Sequence, residues 1–155
     1  MATLCFEDYE VGDLSRAGPY VVEEGEILEF GRRFDPQPFH CDPLAARDSV
    51  FGGLVASGCH LFCIRSKLVN GQRDLPALVA GLGLEKMSLP NPVRPGDALT
   101  LEVECIERRA SRSRPAAGIL RLRNTIVNQN DLPVLEMVAV LMVRRRNPGE
   151  GEASS

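Results

Sequence analysis

The sequence predicts an α+β fold in which one buried helix is followed by long antiparallel strands, and three observations carry that expectation. Residues 58–69 place Leu61, Phe62, Ile64, Leu68 and Val69 around most of a helical circumference, a pattern that belongs to a buried helix. Leu99, Leu101, Val103 and Cys105 alternate with polar residues, as do Leu120, Leu122, Asn124 and Ile126, whereas 134–143 is nearly continuously apolar. Period two marks strands with one face on a core, and an unbroken apolar run marks a strand covered on both faces. Turn formers at Pro95-Gly96-Asp97, at 111–117 and at Asn130-Asp131 separate these stretches, so the second half reads as an antiparallel meander. Its apolar face would wrap on the helix.

The earlier elements follow from local signals. Residues 20–22 fit a short strand, after which Glu26, Ile27, Phe30 and Phe34 keep a helical period over 23–34. That helix must stop there, because Asp35 precedes Pro36 and Gln37 precedes Pro38, and a residue before proline is pushed out of the helical region. Asp42 followed by Pro43 reads as an N-cap and first helical position, opening a brief helix through Asp48. Gly52 and Gly53 interrupt the chain before Ser57, which offers the cap for the apolar helix.

With 155 residues, 44% hydrophobic and 25% charged, the chain has the composition of one ordinary globular domain. The expected domain spans 1–147, and 148–155, rich in Gly, Glu and Ser, reads as a disordered tail. A formal charge of -3 supplies no positive field to gather nucleic acid or anionic lipid. The apolar run 137–143 is far short of the roughly 20 residues that cross a bilayer. Glu7, Asp8, Glu10 and Asp13 stand where a secretory signal needs basic residues and an apolar run, so a cytoplasmic location is expected. Cys5, Cys41, Cys59, Cys63 and Cys105 are odd in number and lack the paired spacing of a disulfide framework, which points to reduced, structural thiols.

Two segments carry chemistry: Phe34-Asp35-Pro36-Gln37-Pro38-Phe39-His40 and Phe51-Gly52-Gly53-Leu54-Val55-Ala56-Ser57-Gly58. Fully extended, Asp35 and His40 would lie roughly 16 Å apart, and a turn at Pro38-Phe39 is needed to bring them together. A carboxylate and an imidazole sharing one water can take its proton and return one elsewhere, each transfer contributing about 10² to 10⁴-fold in rate. Spacing alone leaves a second reading open, in which Asp35 caps a turn and His40 is a satisfied, half-buried histidine. At Gly58 the first amides of a helix point outward without internal partners, and with no side chain there a substrate oxygen that gains negative charge can approach them. Losing such a donor costs roughly 3 kcal/mol of barrier, although the glycines could equally serve close packing.

Asp35-x-Gln37-Pro38-x-His40, followed by 52–58, resembles the hydratase motif of the MaoC-like dehydratases, the group containing the (R)-specific enoyl-CoA hydratases. The likeness continues in Phe6-Glu7-Asp8-Tyr9-Glu10-Val11-Gly12-Asp13 and Pro92-Val93-Arg94-Pro95-Gly96-Asp97-Ala98-Leu99, in the same order. The resemblance implies a hot-dog fold, a curled antiparallel sheet around one long helix, assembled at least to a homodimer. It implies that Asp35 and His40 are the catalytic pair, that the Gly58 N–H holds the thioester oxygen, and that Ser66 and Gln37 belong to the substrate-binding positions. Gln37 stands where an asparagine is usual, and its longer amide needs more room to hydrogen-bond.

The expected activity is reversible hydration of a trans-2-enoyl thioester of coenzyme A, with no cofactor beyond the coenzyme A of the substrate. The rivals are a hot-dog acyl-CoA thioesterase and a non-catalytic acyl-CoA binding module. No metal site is expected, since Cys59, His60 and Cys63 lack a fourth ligand. Arg108, Arg109, Arg112 and Arg114 crowd one hairpin and read as a solvated loop, with the phosphates of coenzyme A as the alternative.

Overall fold

Strands with period-two alternation must share one core face, and their register is what builds it. The computed structural model describes residues 3–148. Strands β1 (Thr3–Leu4) and β2 (Leu14–Val21) precede helices α1 (Glu24–Phe34), α2 (Pro38–Cys41), α3 (Pro43–Arg47) and α4 (Gly58–Asn70). Strands β3 (Leu75–Pro76), β4 (Leu78–Ser88), β5 (Ala98–Ala110), β6 (Ala117–Val127) and β7 (Pro133–Arg144) complete the order. Leu101 pairs with Ile126, and Ile126 pairs in turn with Leu135, so one row of large apolar side chains crosses three strands. All three are fully buried, in one cluster with Leu61, Ile64 and Leu68 of α4. Burial of each such side chain contributes about 1.5–3 kcal/mol, which makes this row the seam joining sheet to helix.

The five-stranded sheet has the order β2-β5-β6-β7-β4, and every pairing in it is antiparallel. Sheet and central helix together form the hot-dog arrangement that the motif resemblance implies. The meander holds for β5, β6 and β7, but β4 does not precede β5 in the sheet: it crosses over to pair with β7. The short strand expected at 20–22 is the end of the longer β2, whose register on β5 shifts between Ala17 and Tyr20 at Gly18-Pro19. Partnership with β5 makes this segment a strand, because its own exposed residues give it no apolar face to read.

Helix α4 is less enclosed than its sequence indicates. His60, Leu61, Ile64 and Leu68 are buried, whereas Cys59 and Cys63 on the same helix are exposed. All five cysteines are free thiols. Arg108 is also not part of a purely solvated loop: its guanidinium lies 4.6 Å over the Phe6 ring and donates to the Tyr9 carbonyl at 2.7 Å. Arg109, Arg112 and Arg114 are exposed. Among the described residues no helix is long and apolar enough to cross a membrane. The tail expected at 148–155 lies outside the described residues from position 149 onward.

Candidate active site

Helix α1 ends at Phe34 because Pro36 forbids a further turn, and Asp35 becomes its C-cap, its N–H donating to the Gly31 carbonyl at 2.9 Å. The Asp35 carbonyl then accepts from the Gln37 N–H at 2.8 Å, and the Gln37 carbonyl accepts from the His40 N–H at 2.9 Å. Pro38 occupies the first turn of α2, where its missing N–H has no cost. These bonds fold 35–40 back on itself, and Asp35 Oδ2 comes to 3.5 Å from His40 Nε2. Gln37 is placed by its backbone alone: the side chain is exposed and does not cap α2.

The imidazole is fixed on its other side. His40 Nδ1 lies 2.6 Å from the Val55 carbonyl, and since a carbonyl only accepts, Nδ1 carries a hydrogen and Nε2 presents its lone pair towards Asp35 when the ring is neutral. His40 is 7% exposed and its ring meets Phe39 edge to face at 4.6 Å. Gly31 permits this packing, because a Cβ there would stand 2.5 Å from the His40 carbonyl oxygen. The Asp35 side chain keeps 31% exposure, so the pair presents one buried ring and one carboxylate open to solvent.

The second segment meets the first at the start of α4. Ser57 is the N-cap, its Oγ accepting the Cys59 N–H at 3.2 Å, and the same hydroxyl donates its proton to Asp35 Oδ2 at 2.6 Å. Asp35 therefore sits at the helix start, one residue from Gly58. No acidic residue occupies the first turn of α4, so the carboxylate from α1 supplies the negative charge that the positive end of the dipole favours. The Gly58 N–H has no acceptor among the described residues, and Leu89, just past β4, covers its α-carbon. Ser66 lies eight residues further along α4, about 12 Å up the helix axis, half-buried, with its carbonyl accepting from Asn70 Nδ2 at 2.8 Å.

A third cluster holds α1 on α4. Glu26 Oε1 accepts from the Tyr20 hydroxyl at 2.6 Å and lies 2.8 Å from His60 Nε2, while Phe30 stacks on the His60 ring at 4.7 Å. Burial, and after it the hydrogen bond to Glu26, pushes the Tyr20 phenol up to about 12. With His60 turned inward and Cys59 and Cys63 facing out, these three do not converge, and no group of three metal-ligating side chains occurs among the described residues. The sequence points to Asp35, His40 and Gly58 as site candidates, which the structure brings together, but for Ser57 it displays only a capping role. A capping hydroxyl accepts with its oxygen, so its own proton still needs an acceptor, and that was the available signal.

A family model described as the MaoC like domain matches residues 11–125. The crystal structure of a MaoC-like dehydratase from Rhodospirillum rubrum is 39% identical, covers 93% of this chain and 99% of that chain, and superposes with a TM-score of 0.86. An (R)-hydratase from A. caviae, involved in PHA biosynthesis, is 26% identical over 87% of this chain and 97% of its own, with a TM-score of 0.67. The uncharacterized protein YdeM of Bacillus subtilis is 27% identical over 90% of this chain and 98% of its own length. By the extent of the family match and the architecture that carries it, the chain belongs to the MaoC-like dehydratase family.

Proposed function

We propose that the chain is a hydro-lyase that adds water reversibly across the double bond of a trans-2-enoyl thioester of coenzyme A. The observation that carries this reading is the 3.5 Å approach of Asp35 Oδ2 and His40 Nε2, with Nδ1 pinned to Val55. A carboxylate and a neutral Nε2 are both acceptors, so one water can direct a hydrogen to each. The water oxygen forms its bond to the β-carbon as a proton leaves it, with Asp35 as base and His40 orienting the water. The π electrons move onto the thioester oxygen; the proton now on Asp35 passes to His40 Nε2, 3.5 Å away, and from there to the α-carbon as the enolate electrons return, which restores the carboxylate and the neutral ring. The balance is redox-neutral, since H and OH are added and nothing is oxidised.

The Gly58 N–H is the group that would hold the enolate oxygen, aided by the positive end of α4. Membership of the dehydratase family and the likeness to an (R)-hydratase support the same reaction class. In this reading the working unit is a homodimer. Strand β4 forms one edge of the sheet, and Leu82, Leu84 and Met87 on it are 49%, 49% and 44% exposed. A long apolar edge of that kind favours pairing with a second copy. The cytoplasm is the proposed location.

The test is an assay of crotonyl-CoA that follows loss of conjugation and release of free thiol together. Hydration predicts loss of conjugation without thiol. Thiol release would make the chain a thioesterase, and binding without either signal would make it a binding module.

A further inference from the structure

A cavity of about 530 Å³ lies elsewhere in the fold, and none of Asp35, His40, Ser57 and Gly58 lines it. Its walls come from α4, from the segment after it, and from four strands of the sheet, with Ala17, Val69, Leu75, Val103, Leu122 and Leu141 among the apolar lining. That volume is within the range of about 300–1,000 Å³ usual for small-molecule sites. No residue of β4 contributes to it, so a second copy paired on that edge would leave it open.

Three arginines line the cavity, and only one is set into the apolar wall: Arg16 and Arg73 are exposed, and Arg16 pairs with Glu102 at 2.8 Å. Arg65 is half-buried, and its Nε donates to Asn124 Oδ1 at 2.7 Å. Asn124 is fully buried and held in turn by its Nδ2, which donates to the Leu122 carbonyl at 2.9 Å. The arrangement uses one of the five guanidinium N–H donors and fixes the plane of the fork. The terminal nitrogens form no hydrogen bond or ion pair among the described residues. Asp8, Asp13 and Asp74 also line the cavity, yet none pairs with Arg65, and Asp8 is engaged by Arg146. Burial alone pulls the Arg65 guanidinium below its ordinary range, as expected for a cation drawn out of water without a counter-charge. Such a charge is costly unless an anion arrives to meet it.

We propose that this cavity binds an apolar chain ending in a carboxylate, with the terminal nitrogens of Arg65 as its bidentate anion contact. A monoanion fits best, because the one guanidinium sunk into the wall matches one charge and the planar fork matches the geometry of a carboxylate. Two sources share that chemistry. One is a free fatty-acid-type carboxylate. The other, which rests on the hydratase reading, is the far end of an acyl group that carries its own carboxylate. Arg65 stands seven residues beyond Gly58, about 10 Å along the helix axis.

The experiment measures binding of octanoate and of octan-1-ol, its uncharged counterpart, by calorimetry to the wild-type chain, Arg65→Met and Arg65→Lys. The expected result is octanoate bound about tenfold or more tightly than the alcohol by wild type, the preference lost in Arg65→Met and partly kept in Arg65→Lys. Equal binding of the two probes by wild type, no octanoate binding, or unchanged octanoate affinity in a folded Arg65→Met chain would overturn the proposal. Should Arg65→Met fail to fold, the wild-type comparison and Arg65→Lys still decide it. Kinetics then assign the source: competition by octanoate against crotonyl-CoA, with glutaconyl-CoA the better substrate in wild type only, identifies the acyl group. Absence of competition identifies a free carboxylate. If crotonyl-CoA is not hydrated at all, the hydratase reading fails while the octanoate result still decides the cavity.

Discussion

Ser57 Oγ donates to Asp35 Oδ2 at 2.6 Å while accepting the Cys59 N–H at 3.2 Å, so a single hydroxyl both caps α4 and orients the carboxylate opposite His40. Ser57 is 1% exposed, and nothing from solvent replaces it. Ser57→Ala removes the cap, at a cost of about 1 kcal/mol, which lowers Tm by about 2–4 °C for a domain of this size. It also frees Asp35 to turn away, and a misplacement of about 1 Å is worth up to about 10²-fold in rate. Thermal melts and kcat for crotonyl-CoA hydration check both. A lowered Tm with wild-type kcat would reduce the bond to a structural one.

Asp35→Asn keeps the shape of the side chain and still accepts from Ser57, but it cannot take a proton from water. Hydration is expected to fall by about 10²–10⁴-fold. Loss of the negative charge at the start of α4 costs about 0.3–1 kcal/mol, too little to unfold the domain. Circular dichroism and the conjugation assay on the same sample separate the two effects. An active Asp35→Asn chain would remove Asp35 from the reaction.

Gly58→Ala tests the amide without deleting it. The new Cβ would meet Leu89 Cδ1 at 2.6 Å, the far end of a flexible side chain that can rotate away. Helix propensity favours alanine by up to about 1 kcal/mol, so Tm should hold or rise. In the proposed reading the methyl group narrows the approach of the thioester oxygen to the amide, and kcat/KM is expected to drop, with Leu89→Ala in the same chain restoring no activity. Unchanged kcat/KM in Gly58→Ala would end the case for this amide as the oxygen's donor. Gly31→Ala makes the contrasting case: its Cβ meets backbone, 2.5 Å from the His40 carbonyl oxygen, so stability and activity should fall together.

These expectations depend on features that the sequence displayed unequally. Asp42-Pro43, Ser57-Gly58 and Asp35-Pro36 are local signals, and each marks its helix boundary to within a residue. The alternation at Leu99, Leu101 and Val103 likewise identifies β5 without reference to its neighbours. Non-local pairings left no such trace. Strand β4 has few buried positions of its own and is defined by register on β7, about 55 residues later in the chain, and β2 is defined by register on β5. The bond from Ser57 to Asp35 spans 22 residues, and the Glu26 to His60 contact that also seats α1 on α4 spans 34. The exposed Cys59 and Cys63 face was hidden for a related reason: composition shows a helix to be apolar all round, but only packing decides which side is left uncovered.

That same seat can be read through the chain's two tyrosines, because with no tryptophan present tyrosinate absorbance reports Tyr9 and Tyr20 alone. Burial pushes Tyr9 up to about 12, reinforced by the nearby charges of Cys105, Asp8 and Asp13. Burial and the Glu26 hydrogen bond do the same for Tyr20. The folded chain therefore holds both phenol protons more tightly than the unfolded chain, whose tyrosines ionise near the ordinary value of about 10. The resulting stabilisation is fully present below pH 10 and is lost as pH rises from there towards 12. A native titration should stay nearly flat through pH 10 while the urea-unfolded chain is already half ionised. Glu26→Gln removes the charge facing Tyr20 and should move about half of the native signal to lower pH, leaving the Tyr9 half in place. Two phenols titrating near 10 in the folded protein would mean that neither is buried as described, and that Tyr20 and Glu26 do not hold α1 against α4.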